Sequence, residues 1–162
     1  MYIISQSASF TRPNDTTQYA SGDLVANSTT AGSVAPLTFK LPARGLKLQR
    51  VGLLHSAATV TDSQFRAHFY SDSPTCSNGD NAAWLTTASG YQGFVDIDGQ
   101  NQTFSDDGMS FGVYVNNSVF APLFLVADTD KKLYVLLEAR DTYTPASAEV
   151  FTVTILGEGY TG

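Results

Sequence analysis

Apolar and polar residues alternate along most of this chain with a period of two. In the segment PLTFKL, Leu37, Phe39 and Leu41 fall on one face, and Thr38 and Lys40 fall on the other. Strict alternation of this kind is typical of a β-strand that buries one face. Apolar residues at helical spacing are not seen, so the pattern predicts a protein built from strands.

One segment changes the phase of its alternation. LKLQRVGLL alternates through Leu46 and Leu48, shifts at Gln49 and Arg50, and then continues in the opposite phase. An extra residue in one strand of an antiparallel pair produces such a shift. We therefore predict a β-bulge in this strand and place it near Gly52.

Further strands are predicted at short intervals, with Asp, Asn, Gly, Pro and Ser in the connections. They fall at 2–10, 23–27, 64–71, 91–98, 110–116, 119–127, 132–140 and 149–157. The only helical turn predicted is at 81–88, with Asp80 as its N-cap.

Eight to ten short strands without an amphipathic helix predict an all-β, antiparallel β-sandwich. A jelly roll is our first choice, because strands of unequal length and long loops suit two Greek keys. An immunoglobulin-like sandwich is the second, although its Cys–Trp–Cys framework is absent. Within one domain, residues 1–36 are predicted to form an N-terminal strand and an extended arm, and residues 37–162 the sandwich.

The chain has few charged residues, and acidic residues outnumber basic ones. Charged residues make up 15% of the chain, the net charge is −6, and the nine basic residues are scattered. Binding of nucleic acid needs clustered Lys and Arg, so no direct nucleic-acid partner is expected. The longest apolar run, at 119–127, is too short to span a bilayer, so no membrane partner is expected either. The start MYIISQSASF lacks the features of a secretory signal, which predicts maturation in the cytoplasm where the chain is made.

Catalytic and metal-binding motifs are missing from the sequence. His55 and His68 have no partners at the spacing of a metal site or a catalytic dyad, so we interpret them as structural or surface histidines. Cys76 is the single cysteine, in a polar loop near Asp72 and Asp80, and is interpreted as an inert thiol. We predict no enzyme activity, no catalytic residue, no resident metal and no cofactor.

Carboxylates occur in pairs, which in another setting could hydrolyse glycosidic bonds or bind Ca²⁺. The pairs are Asp72/Asp80, Asp96/Asp98 and Asp106/Asp107. Asp is also the residue that turns prefer, and we favour that interpretation. A Ca²⁺ ion held by one of these loops stays open as an alternative.

Three aromatic residues lie close together in the sequence, Trp84, Tyr91 and Phe94. Exposed aromatic rings stack on the faces of sugars, whereas buried rings build a core or a protein interface. The core or interface interpretation is favoured. Trp84 and Tyr91 remain the candidate residues of an aromatic, sugar-binding surface.

Three stretches of the chain resemble a group of small proteins of tailed bacteriophages and prophages, the jelly-roll capsid decoration or cement proteins. The stretches are SFTRPNDTTQYASGDLVANSTTAGSVAPLTF, HFYSDSPTCSNGDNAAW and LLEARDTYTPASAEVFTVTI. The resemblance implies an all-β structural protein without cofactor. It implies binding to the major capsid protein on the exterior of the virion, after assembly in the bacterial cytoplasm.

The resemblance offers no contact residues, so we chose them from the bulky groups of the arm. Arg12, Tyr19, Leu24 and Val25 stand out in a segment of small residues and are the predicted contacts with the capsid or with another copy. Low charge and many strands also favour self-association, as a dimer or a trimer.

Two other kinds of protein stay open. One is a module that binds carbohydrate or a host surface through Trp84 and Tyr91. The other is a head-fibre or tail component, which would more often show sequence repeats or a coiled-coil stem. A glycosidase that uses the Asp pairs ranks last, because no acid with a raised pKa can be picked out.

Overall fold

The computed structural model describes residues 2–56, 63–98, 104–106, 109–115 and 123–160. Within these ranges the chain forms eleven strands and one short 3₁₀ turn, Ala31–Ser33. The strands are β1 (Tyr2–Thr11), β2 (Leu24–Val25), β3 (Leu37–Lys40), β4 (Gly45–His55), β5 (Gln64–Tyr70), β6 (Tyr91–Asp98), β7 (Phe104–Asp106), β8 (Met109–Val115), β9 (Phe124–Val126), β10 (Lys132–Ala139) and β11 (Val150–Tyr160).

The strands form two antiparallel sheets. The first sheet has the order β1-β11-β4-β8-β7, with β9 paired to the other end of β4. The second has the order β2-β10-β5-β6, with β3 also paired to β10. Chain-adjacent strands such as β3 and β4, or β4 and β5, lie in opposite sheets. This double-sheet arrangement is the jelly roll and confirms the predicted fold class; the immunoglobulin sandwich has another strand order.

The core lies between the sheets, where the period-two alternation places the apolar side chains. In β3, Leu37 and Phe39 are buried while Thr38 and Lys40 are exposed. The first sheet contributes chiefly Leu46, Leu48, Val51, Leu53, Phe151, Val153 and Ile155, and the second chiefly Phe65, Phe69, Val95, Ile97, Leu133, Val135 and Leu137. Removal of this apolar area from water is what holds the two layers together.

The predicted bulge exists, but at Gln49 instead of Gly52. In the pairing of β4 with β11, Leu156 is opposite Arg50 and Gly157 is opposite Leu48, so Gln49 is the extra residue. A Cβ atom at Gly157 would lie 2.4 Å from the carbonyl oxygen of Lys47, which explains the glycine beside the bulge.

The predicted helical turn at 81–88 is wrong. Instead, this segment makes isolated β-bridges, Asp23 with Ala83 and Cys76 with Thr86. Asp80 is a buried carboxylate and not an N-cap. Among the residues that the structure describes, no helix is long and apolar enough to cross a membrane.

Candidate functional site

The arm that follows β1 is fastened to the loop between β5 and β6 by a buried polar network. The guanidinium of Arg12 donates to the hydroxyl of Tyr19 at 3.0 Å, to Asp80 at 3.1 Å and to Asp15 at 2.9 Å. Tyr19 donates to Asp80 at 2.6 Å, and the backbone N–H of Ala26 donates to the same oxygen at 2.7 Å. Arg12 and Asp80 have no exposed side-chain surface.

The hydrogen bonds define the charges in this network. Asp80 accepts only from donors, which is the arrangement of an ionised carboxylate. Burial raises the pKa of Asp80, against the opposing hydrogen bonds from Tyr19, Ala26 and Arg12. Burial lowers the pKa of Arg12, but hydrogen bonds with Tyr19 and Asp15 outweigh it and leave this pKa raised. The network is therefore an ion pair with a neutral tyrosine bridging its two members.

The residues that follow Asp80 continue the attachment of the arm. Asn81 adopts a left-handed conformation, φ 57°, and its side chain donates to the carbonyl of Thr17 at 2.8 Å. The backbone N–H of Leu24 donates to Ala82 at 2.9 Å, and that of Trp84 donates to Gly22 at 2.7 Å. The segment DNAAW thus binds the arm along five consecutive residues.

The arm and the loop cover part of the outer face of the second sheet and form a small second core. Its buried members are Leu24, Ala26, Tyr70, Cys76 and Leu136, and Trp84 packs against them. Burial raises the pKa of the Cys76 thiol, which agrees with the interpretation of this cysteine as inert.

The four predicted contact residues lie inside the protein. Arg12, Tyr19, Leu24 and Val25 are all buried, Arg12 in the network and the other three in the two cores. The prediction that these side chains are free to contact a capsid is therefore wrong. Bulky residues stand out in this arm because they anchor it to the sandwich.

A cluster of aromatic side chains lies on the outer face of the second sheet, beside the part that the arm and the loop cover. Trp84 stacks on His68, with ring centroids 4.1 Å apart, and Tyr91 and Phe94 flank the same imidazole. Tyr91 is 42% exposed, whereas Trp84 is half-buried. The structure thus brings the predicted pair Trp84 and Tyr91 together through His68, which no local sequence pattern had linked to them.

A chain of hydrogen bonds runs from Glu138 through His68 to Tyr91. Nε2 of His68 lies 2.8 Å from the Glu138 carboxylate, and Nδ1 lies 3.2 Å from the Tyr91 hydroxyl. A carboxylate accepts only, so Nε2 carries the proton and the Tyr91 hydroxyl donates to Nδ1. Burial raises the pKa of Tyr91, so this hydroxyl is not activated as a nucleophile.

Acidification should destabilise the fold through His68. Burial lowers the pKa of this histidine below 6.5, although the Glu138 carboxylate opposes that effect. Between the lowered pKa of His68 in the folded protein and the value of 6.5 in the unfolded chain, the unfolded chain binds more protons than the folded protein. The free energy of unfolding therefore falls as the pH drops below 6.5. We expect a lower urea midpoint at pH 5 than at pH 7, and a smaller difference in His68→Gln. An equal difference in both proteins would contradict this assignment.

The second histidine belongs to a buried network at the end of the sandwich. Nδ1 of His55 lies 2.7 Å from Glu149 and 3.1 Å from the Tyr143 hydroxyl, and Tyr143 donates to Glu149 at 2.5 Å. The other oxygen of Glu149 accepts from the backbone N–H of Ala146. All these groups are enclosed, so the network joins β4 and β11 to the loop before β11 and offers no substrate access.

The paired carboxylates do not form a catalytic or metal site where the structure describes them. Asp80 pairs with Arg12, Asp96 is bidentate to Arg66, and Asp72 accepts from Ser89. The side chains of Asp98, Asp106 and Asp107 lie outside the described part. Among described residues, no group of three His, Cys, Asp or Glu side chains could hold a metal ion.

The outer face of the first sheet carries apolar residues at one end. The register aligns Tyr160, Gly45 and Val126 in one row, and Glu158, Lys47 and Phe124 in the next. Phe124 is 55% exposed, and its ring meets that of Tyr160 edge-on at 6.1 Å. A Cβ at Gly45 would overlap the Tyr160 ring, so the glycine makes room for it. Tyr160, Val126 and Phe124 are called the apolar end below.

The rest of this face near β1 is small and uncharged. Ser7 bonds with Thr154 and Ser9 with Thr152, each at 2.7 Å. On β1, Ile3 lies opposite Glu158 in the second row, and its side chain is 82% exposed. Sequence reasoning missed this surface, although a signal existed: FLV in β9 is apolar in both phases, so one phase must point outward.

No protein-family model matches the chain, and the search of curated proteins gives no match. Among solved structures, weak similarity is found to Triatoma virus, at 6% identity and a TM-score of 0.30 over 90% of this chain and 65% of the other. Kashmir bee virus matches at 14% identity and 0.30 over 94% and 70%, and Israeli acute paralysis virus at 10% and 0.30 over 97% and 68%. A TM-score of 0.30 is too low to carry an inference about this chain.

Proposed function

We propose that this protein is a structural component of a bacteriophage virion that binds the assembled capsid shell and stabilises it. Its partner is the major capsid protein, and its place is the exterior of the capsid. The observation that carries the proposal is the apolar end, an exposed group of large apolar residues. The ion pair of Lys47 with Glu158 lies beside it, and exposed Ile3 follows on the same face. Soluble monomers rarely expose such a group unless it forms an interface.

The surroundings of the apolar end suit binding to a flat, repeated surface. β4 and β11 beneath it are paired on both sides, β9 is paired to β4, and the sheet is backed by the core, so the side chains are held in place before binding. Binding then costs little ordering entropy. The neighbouring Ser and Thr hydroxyls can hydrogen-bond a partner without removing a charge from water.

The chemistry of the described residues supports a structural role. The buried ionisable groups are engaged with one another: Arg12 with Asp80, His55 with Glu149, and His68 with Glu138. These pairs connect the arm, the sandwich end and the second sheet. Such networks give a rigid fold.

The experiment uses expanded capsids of the source phage that lack this protein. Purified protein is mixed with them and sedimented, and the copies bound per capsid protein are measured as the protein concentration rises. We expect saturable binding at a fixed ratio and a higher temperature of capsid disruption, because a bound copy stabilises only the assembled lattice. Protein that stays in the supernatant at all concentrations would refute the proposal.

A further inference from the structure

The aromatic cluster on the second sheet encloses a recess that the proposed function does not use. Its volume is about 220 Å³, and it is lined by His68, Tyr70, Trp84, Thr86, Thr87, Ala88 and Tyr91. Trp84 reaches it from the long loop and Tyr91 from the start of β6. This volume lies below the roughly 300–1,000 Å³ of sites for drug-sized ligands, so the recess has room for a single small ring.

The lining has two kinds of chemistry. Most of the exposed lining is apolar. A smaller polar part comes from hydroxyl groups that already hydrogen-bond within the protein and keep lone pairs as acceptors: Tyr70 with Thr86, Thr87 with the backbone N–H of Thr75, and Tyr91 with His68. No Asp, Glu, Lys or Arg is among the lining residues, and the lowered pKa of His68 keeps its ring neutral at pH 7. A charged ligand would lose its hydration here without gaining a counter-charge. The recess therefore suits a neutral molecule with one apolar face and several hydroxyls.

We propose that this recess binds one neutral pyranose ring of a glycan. The C–H face of a pyranose matches aromatic walls, and its hydroxyls match the polar atoms of the lining.

The tautomer of His68 defines the role of Tyr91 in this site. Because Nε2–H points to Glu138, Nδ1 accepts a hydrogen bond from the Tyr91 hydroxyl, and the phenolic oxygen keeps lone pairs for an outside donor. Glu138 is itself held by Arg140 at 2.8 Å. The hydroxyl of Tyr91 is thus oriented before ligand arrives, as an acceptor for a sugar hydroxyl.

The position of the recess would let the protein bind a sugar while its other face is bound to the capsid. The apolar end lies on the outer face of the first sheet and the recess on the outer face of the second, and in a sandwich these faces point in opposite directions. The two surfaces approach each other at the edge where Tyr91 and Val126 line a common pocket. If the first sheet contacts the shell, the recess faces the surroundings. Only this orientation rests on the proposed function; the binding of sugar does not.

The test uses the fluorescence of Trp84, the only tryptophan of the chain. The purified full chain is titrated with methyl glycosides of glucose, galactose and mannose, with N-acetylglucosamine, and with N-acetylneuraminic acid as a charged comparison. Saturation-transfer NMR checks the same ligands. We expect saturable binding of at least one neutral sugar, with a dissociation constant on the order of 1 mM for a single ring.

Matched variants separate this site from the other face. Tyr91→Phe keeps the ring and removes the hydroxyl, and we expect about tenfold weaker binding. Tyr160→Phe removes a hydroxyl from the opposite face and should leave sugar binding unchanged. Equal affinity in Tyr91→Phe and the unaltered protein would overturn the assignment.

The other outcomes also decide the proposal. Response to N-acetylneuraminic acid alone would overturn the claim of a neutral ligand. No response to any sugar from protein that still sediments with capsids would overturn the sugar site while leaving the proposed function intact. Sugar binding by protein that does not bind capsids would support this site and refute the proposed function.

Discussion

Asp80→Ala should lower the free energy of unfolding by about 3–5 kcal/mol, because it removes the buried carboxylate that pairs with Arg12 and leaves only the partly exposed Asp15 as a counter-charge. The change also removes the acceptor of the Tyr19 hydroxyl and of the Ala26 N–H. For a chain of this size the melting temperature should fall by roughly 10 °C. Urea unfolding and calorimetry measure both quantities, and hydrogen exchange should show faster opening of residues 12–36 than of the core strands.

The matched control is Asp96→Ala. Asp96 also forms a bidentate pair with an arginine, Arg66, but its side chain is 54% exposed. Exposed pairs contribute at most about 1 kcal/mol, so this variant should be nearly as stable as the unaltered protein. Asp80→Asn, which keeps an acceptor and loses the charge, should fall between the two. Equal losses in Asp80→Ala and Asp96→Ala would show that the arm is not held by this network.

Phe124→Asp should weaken binding to the capsid shell on the order of 100-fold. Large exposed aromatic residues at the centre of an interface contribute about 2–4 kcal/mol each, and a carboxylate in place of the ring would have to lose its hydration on binding. The half-exposed side chain contributes little to the fold, so the melting temperature should change little. Sedimentation with capsids at increasing protein concentration gives the apparent affinity.

Phe94→Asp is the control for this prediction, because Phe94 has similar exposure and lies on the opposite outer face. It should leave shell binding unchanged and should alter the surroundings of the sugar recess. If both Phe variants weakened shell binding equally, the effect would come from added charge and not from the face. If neither did, the apolar end would not be the contact surface.

Local pattern was enough to predict most strands. The segment at 91–98 coincides with β6, and the phase shift indicated a bulge in β4, although it was predicted near Gly52 and lies at Gln49. The pairing of the strands was harder to predict. β7, for example, is only three residues long and shows no alternation that could be recognised. The order of the strands was not predicted, because it depends on contacts between residues far apart in the sequence.

The candidate surfaces were harder to predict, for a reason that Arg12 illustrates. An arginine among Ser, Thr and Asn residues is usually exposed, yet its partner Asp80 lies 68 positions away. No local pattern records a contact of that separation, so Arg12 was assigned to a surface. Trp84 and Tyr91 were grouped correctly because they lie close in sequence. His68 was not grouped with them, because its neighbours come from a loop and from two other strands.

The most direct test of shell binding is cryo-electron microscopy of capsids saturated with the protein. We expect ordered density for the sandwich on the outer surface of the shell, with Phe124, Val126 and Tyr160 against the capsid protein and the Trp84 recess facing solvent. Capsids without added density after saturation, or density with the Trp84 face against the shell, would contradict this expectation.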